Sequence, residues 1–310
     1  MPDVLYELTG PVARLTLNRP ERGNGITRGL LAELQQCVER ADLDPAVHVL
    51  LLAGNGKGFC GGYDLVESAE GRGALGEGDP APVEAPAAPA PPGSPIDPRV
   101  IAANHDPSGT WDPIVDYAMM SRNVRAFMSL HRCTKPVVCK VHGFCVAGGT
   151  DMALCADLLV IGADAKIGYP PARAWGSPTT SLWAHRLGAQ RAKRLLFTGD
   201  SLSGAEALEW GLAIEAPAAS ELDERVESLV QRIARVPVNQ LQMMKLLVNQ
   251  SLDAQGLHST QVLGTLLDGI ARHTEEGYAF QALAAREGFR EAVRRRDEPF
   301  GDYGPSTFKG

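Results

Sequence analysis

Two short stretches of this chain repeat one pattern, and together they constrain its fold more than any other feature. "GKGFCGGYDL" sets Gly61 and Gly62 just ahead of Asp64, and "HGFCVAGGTDM" sets Gly148 and Gly149 just ahead of Asp151. Each follows a short apolar run, "VHVLLLAG" in the first case and "PVVCKV" in the second. A Gly-Gly pair at a strand-to-helix junction costs backbone entropy and buries no side chain. What it provides is bare backbone. The first amides of a helix have no intrahelical acceptor and point outward, and glycine lets another group approach them closely. Two such loops facing each other hold one oxygen between two N–H groups, which stabilises an oxyanion developing on a carbonyl. Neither stretch has the GxxxxGK[ST] or GxGxxG order of a phosphate loop. From the pattern alone, an oxyanion site and two tight turns packing strand on helix stand level.

The rest of the chain reads as alternating strands and helices, an α/β architecture. "VLYELTGPVARLTLNRP" alternates around Gly10–Pro11 as a β-hairpin, with Val12, Leu15 and Leu17 facing inward. Thr27 precedes a helix in which Leu30, Leu31, Leu34, Cys37 and Val38 recur at helical spacing. "VHVLLLAG" predicts a strand buried on both faces, and "PVVCKV" and "DLLVIG" predict two more. Residues 71–98 are rich in Gly, Pro and Ala and are expected to form a mobile insertion, either a lid over the site or a plain surface loop. After it, Ile114, Met120, Val124, Phe127 and Met128 mark another helix. Ser203 and Glu206 form a capping box, and the chain beyond residue 186 is nearly all helix. This divides the molecule into a core over 1–216 and a C-terminal helical region over 217–310, expected to serve oligomerisation.

Composition excludes several functions. With a formal net charge of −7 and one basic run, Arg294–Arg296, the chain has no phosphate-tracking stripe, so nucleic acid is not an expected partner. No run approaches the ~18 apolar residues of a membrane helix, and "MPDVLYELTG" lacks the segments of a signal peptide. Six cysteines without a CxxC pair point to a reducing, cytoplasmic setting. Cys139, His142 and Cys145 lack a fourth ligand and the usual loop spacing, so no metal is expected.

At the two glycine loops the chain resembles the crotonase family, the enoyl-CoA hydratase/isomerase superfamily. "LNRPERGN", "TGDSLSGAEALEWGL" and "REAVRRRDEPF" extend the resemblance over nearly the whole chain outside 71–98. It implies a spiral of ββα units with a C-terminal helical region, an acyl-CoA thioester as substrate with no further cofactor, and a homotrimer or dimer of trimers. Carried over by position, the backbone N–H groups of Gly61 and Gly148 hold the thioester oxygen, flanked by Gly62 and Gly149. Loss of one such donor typically costs about 3 kcal/mol. Arg22 is either a contact to CoA phosphate or a solvated loop charge; Asp64 lies along the substrate, and Tyr169 and Trp175 are substrate contacts or plain pocket wall.

The sequence departs from the hydratase pattern at the acids. Hydratases use two Glu residues; the first position holds Asp151, shorter by one methylene, and an ungapped reading puts Pro171 at the second. Proline transfers no proton. Tyr63, Tyr169, Arg173 and Ser177 are the neighbouring groups that would have to substitute. The resemblance supports the label enoyl-CoA hydratase. The missing acid favours a one-carboxylate isomerase, decarboxylase or hydrolase, or a member that binds acyl-CoA without converting it.

Overall fold

The computed structural model describes residues 1–64 and 90–301 of the chain. Val4–Thr9 (β1) and Val12–Leu17 (β2) form the hairpin, with Gly10 at a φ of +56° in its turn. Arg28–Leu43 (α1) begins where the Thr27 side chain accepts the Leu30 amide at 3.1 Å. Val49–Gly54 (β3) follows, then Pro98–Asn104 (α2) and Pro113–Arg132 (α3). Val137–Val141 (β4), Phe144–Val146 (β5), Gly148–Ala153 (α4), Leu158–Ile161 (β6) and Lys166–Gly168 (β7) carry the second glycine loop and its surroundings. Leu182–Thr198 (α5), Ser201–Ser203 (β8) and Gly204–Glu209 (α6) close this part. Leu222–Ala234 (α7), Val238–Ala254 (α8), Leu257–Arg272 (α9), Glu275–Glu287 (α10) and Phe289–Asp297 (α11) complete the described chain.

The larger sheet runs β1-β2-β3-β4-β6, antiparallel in the hairpin and parallel from β2 onward. A β-strand sends alternate side chains to opposite faces. Leu50 and Leu52 of β3 therefore join Leu30, Leu34 and Phe127 in the main core, while Val49 and Leu51 meet Val226 and Val230 of α7 in a second one. Two covered faces explain why this strand reads as an unbroken apolar run. The smaller sheet, β5-β7-β8, is parallel between β5 and β7 and antiparallel between β7 and β8.

Two sequence expectations are adjusted here. Ile114 is exposed; with Pro113 opening α3, the buried stripe starts one residue later at Val115 and continues through Met120, Val124, Phe127 and Met128. Of the expected insertion, residues 71–89 lie outside the described residues. Residues 90–97 form turns that lead into α2, where the Asp97 side chain accepts the Arg99 amide at 2.9 Å.

Candidate active site

The two glycine loops are interlocked. Backbone hydrogen bonds join them directly, from Cys60 N–H to Phe144 O at 3.2 Å and from Val146 N–H to Cys60 O at 3.0 Å. Gly62, at a φ of +97°, lies where a Cβ would come within 2.8 Å of the Ala147 Cβ and 3.5 Å of the Gly148 nitrogen. A Cβ on Gly149 would fall 2.6 Å from Cys60 O, and one on Gly148 would fall 2.8 Å from the Tyr63 ring. Close packing thus leaves no room for a side chain at Gly62, Gly148 or Gly149. Ala147, between β5 and α4, is held at φ 53° and ψ −130°, a strained conformation for a residue with a Cβ. That strain turns the start of α4 toward the first loop.

The amides left over at this junction differ in one respect from expectation. The Gly61 N–H donates to Gly23 O at 2.9 Å and is already satisfied. Among the described residues, the N–H groups of Gly62, Tyr63, Gly148 and Gly149 have no backbone acceptor. Gly148 is the first residue of α4, so its amide has no partner within the helix either. Ile26 N–H donates to Gly62 O at 2.8 Å and Asp64 N–H to Ile26 O at 3.1 Å, a bridge that fixes the Tyr63 peptide. Among the described residues the first loop therefore has open N–H groups at Gly62 and Tyr63, whereas that of Gly61 is taken.

Asp151 sits on α4, three residues after Gly148, and is 1% exposed. Its Oδ1 accepts the Thr180 amide at 3.0 Å and the Thr180 hydroxyl at 2.7 Å. Among the described residues, its Oδ2 is buried without a hydrogen-bond partner. Burial pushes this carboxyl up to about 7, the nearby Asp268 charge adds to the rise, and the Thr180 bonds restrain it. A carboxyl poised near neutral pH with one free oxygen is suited to take a proton and give it back.

The aromatic groups around it are walls with fixed hydroxyls. Tyr63 lies against Phe127, and Asn123 Nδ2 of α3 donates to its hydroxyl at 3.4 Å. Tyr169 is buried and donates its hydroxyl to Ser177 O at 2.9 Å. Burial pushes both phenols well above their usual range, and Asp151 and Asp268 push them further. Two charged residues of α9 that sequence reasoning missed complete this cluster. Asp268 accepts the Ser177 amide at 3.4 Å on Oδ1 and pairs with Arg272 through Oδ2.

Several candidate residues are engaged elsewhere. Arg22 grips Asp64 in a bidentate pair at 2.7 and 3.1 Å, and Arg19 joins the same carboxylate at 3.1 Å, so Asp64 is the anchor of the first loop. Arg173 is buried in contacts with Asp297 and Asp200 at 3.0 and 3.3 Å and accordingly tethers α11. Trp175 stacks on Phe280 of α10 with centroids 5.2 Å apart, in a cluster separate from the Asp151 core. Pro171 lies in the Pro170–Arg173 turn, pressed so closely that a Cβ on Gly176 would be 2.7 Å from its Cβ.

Potential metal ligands among the described residues are engaged in other contacts. Cys139 and Cys145 are fully buried, with burial pushing both thiols up, and His142 Nε2 meets Gly56 O at 2.9 Å. His105, Asp116 and His273 bring potential ligand atoms within 4.8 Å of one another. Asp116 Oδ2, however, already receives Trp111 Nε1 at 2.8 Å, Asn104 Nδ2 at 3.0 Å and His273 Nε2 at 3.0 Å. Asp116 is the centre of a hydrogen-bonded hub with Asn104, Trp111 and His273 that ties α2 and α3 to the end of α9, with His105 Nε2 3.5 Å from its other oxygen.

The family model described as enoyl-CoA hydratase/isomerase matches residues 7–78 and 110–287. A crystal structure of an enoyl-CoA hydratase from Mycobacterium smegmatis is 55% identical, with a TM-score of 0.89 over 99% of this chain and 97% of that one. The 1,2-epoxyphenylacetyl-CoA isomerase of Escherichia coli (strain K12) is 28% identical over 299 residues, 94% of this chain and 93% of its own length. The (E)-benzylidenesuccinyl-CoA hydratase of Thauera aromatica is 27% identical over 301 residues, 96% and 98% of the two lengths. With the two interlocked glycine loops in place and these matches spanning both, the chain belongs to the enoyl-CoA hydratase/isomerase, or crotonase, family.

Proposed function

We propose that this protein is an acyl-CoA isomerase that moves a proton, and with it a carbon–carbon double bond, along an enoyl thioester. The amides of Tyr63 and Gly148 hold the thioester oxygen. Asp151 removes a proton from C2 of a 3-enoyl-CoA, the C2–H electron pair moves into a dienolate, and the negative charge rests on the oxygen between the two amides. The same carboxyl then delivers the proton to C4, leaving the double bond between C2 and C3. No water enters and no atom is lost. The two N–H donors matter because the oxygen carries more charge in the transition state than in the substrate.

The observation that carries this reading is the free, buried Oδ2 of Asp151 on a carboxyl poised near neutrality. One such group suffices for a shuttle, whereas hydration needs a second group to manage the water. Hydration is the second reading, favoured by the hydratase name of the Thauera aromatica relative. Coenzyme A enters as part of the substrate, and no separate cofactor takes part. Met243, Met244, Leu246, Leu247 and Val248 of α8 and Leu263, Leu267 and Ile270 of α9 stand exposed, which supports self-association through these helices. No described helix is long and apolar enough to cross a membrane.

The test is to offer matched 3-enoyl-CoA and 2-enoyl-CoA thioesters in D2O and follow conjugated-thioester absorbance and product mass. Isomerisation raises the absorbance of the 3-enoyl sample with no gain of water. Loss of absorbance from the 2-enoyl sample with the mass of one added water would replace the proposal with hydration.

A further inference from the structure

The turn after β7 carries Pro171 where a second acid belongs, yet a second buried carboxylate reaches the same wall from 91 residues beyond Ser177. We propose that Asp268, carried on α9 and paired with Arg272, is the second carboxylate of this site, and that it sets the field in which Asp151 takes up and releases its proton. This rests on the isomerase reading for its catalytic meaning, while its electrostatic content stands apart from it.

The geometry is a clamp on one loop. Thr180 binds Asp151 through its amide and hydroxyl, and three residues earlier the Ser177 amide is directed at Asp268. The two carboxylates thus grip the 177–180 segment from opposite helices, α4 and α9. One turn before Asp268, α9 is seated against that segment without slack. A Cβ on Gly264 would lie 2.8 Å from Pro178 O and 2.5 Å from Ser181 Oγ, and Ser181 Oγ donates to Thr260 O at 3.0 Å. One turn after Asp268 comes Arg272, and the two side chains are only 7% and 13% exposed.

The charges divide the roles. A buried carboxylate keeps its charge when a cation and hydrogen bonds satisfy it. Asp268 has both oxygens engaged, one by Arg272 and one by Ser177, whereas Asp151 has no cation and one free oxygen. Asp268 is therefore a positioning residue: it does not transfer the proton but makes ionisation of Asp151 harder, since a like charge nearby favours the protonated form. Other groups face the pair. They are Tyr63 from the first loop, Tyr169 after β7 and Asp116 from α3, the last backed by His105 and His273. Burial raises the Asp268 carboxyl, opposed by Arg272, and Asp116 adds to the rise.

The test needs no substrate. In protein labelled with 13C at aspartate carboxyls, the D151N variant identifies the Asp151 resonance, which is then titrated in wild type, D268N and the D268N/R272Q double variant. The double variant removes both charges and so avoids a buried unpaired guanidinium, keeping the test valid if D268N alone does not fold. The expected result is an Asp151 midpoint lowered by about one pH unit in D268N and by a smaller amount in the double variant, where loss of the Arg272 charge offsets part of the change, with the limb of the kcat/KM profile moving by the same amount in each. A merely structural Asp268 would depress rates at every pH and leave the midpoint in place; an unmoved midpoint overturns the proposal. A moved midpoint in a protein that turns over no enoyl thioester upholds it and overturns the isomerase reading instead.

Discussion

Asp151 and Asp268 occupy two regions that treat the same side chain in opposite ways. Asp151 rides on the six-residue helix α4, beside the strained Ala147, with hydrogen bonds from Thr180 on one oxygen and nothing on the other. Asp268 rides on the 16-residue helix α9, with a cation one turn away. Both are buried and both brace the 177–180 segment. Their difference shows that burial alone does not decide what an acid does. Burial raises both carboxyls, but at Asp268 a cation opposes the rise and at Asp151 none does, and in the proposed reaction the unopposed one is the mobile proton site.

The largest effect should come from removing that mobile site. Asp151→Asn keeps the Oδ1 acceptor for Thr180 but cannot take a proton, and kcat should fall on the order of 10³-fold. Affinity for a saturated acyl-CoA should stay within about twofold, which calorimetry measures. A comparable drop in affinity would turn Asp151 into a binding residue. The same variant tests the cost of burial. With a folded value of about 7 against an ordinary carboxylate near 4, folded wild type binds more protons than unfolded chain across that window. Its stability therefore falls as pH rises from about 4 to about 7, by on the order of 4 kcal/mol, and is greatest below the unfolded value. Asp151→Asn should lack this decline in urea melts run at several pH values. Kinetics run the other way: proton removal needs the ionised form, so wild-type kcat/KM should climb with pH through about 7. The charge that the fold resists is the one the proposed reaction uses.

The contrast between α4 and α9 also marks what could be read in the sequence. The motif around Asp151 is local: Gly148, Gly149 and Asp151 stand within four residues and follow a strand, so the junction and its exposed amides were visible before any coordinates. So were the hairpin, β3, and the inward stripe Leu30, Leu31, Leu34 and Val38 of α1, because each element buries its apolar side. Helix α9 is built the other way round. It buries Gln261, Gly264, Thr265, Asp268 and Gly269 and exposes Leu263, Leu267 and Ile270. An apolar-stripe reading turns such a helix by half a rotation and places Asp268 in solvent. The visible clue was an i,i+4 Asp–Arg pair flanked by mid-helix glycines, a pattern that a solvated helix face also shows. The assignment of Gly61 as a donor failed for a related reason. Its N–H is taken by Gly23 O, across a contact 38 residues distant that spacing within the motif does not reveal.

The next effect in size tests the amide side of the site. In Gly148→Ala the new methyl would stand 2.8 Å from Tyr63 Cε2 and 3.0 Å from Ile26 Cδ1, so the ring or the loop must shift. A displacement of under an ångström of one donor should lower kcat about a hundredfold with little change in the pH profile, because Asp151 keeps its surroundings. An altered pH limb with unchanged kcat would mean that this glycine serves the acid and not the oxyanion.

The smallest effect should come from Tyr63→Phe, and its smallness is the point. In the proposed site the first loop contributes the Tyr63 backbone N–H, which the substitution leaves intact, together with the Ile26 bridge that holds the peptide. The phenol is kept protonated by burial and receives one long hydrogen bond, 3.4 Å from Asn123 Nδ2. Removing it should change kcat/KM by no more than about threefold, the scale of one weak hydrogen bond. Its loss should also leave Asp151 titrating where it did, since the neutral phenol contributes no charge to the field that Asp268 sets. A hundredfold loss in this variant would place proton transfer on the Tyr63 hydroxyl and make Asp151 one member of a pair.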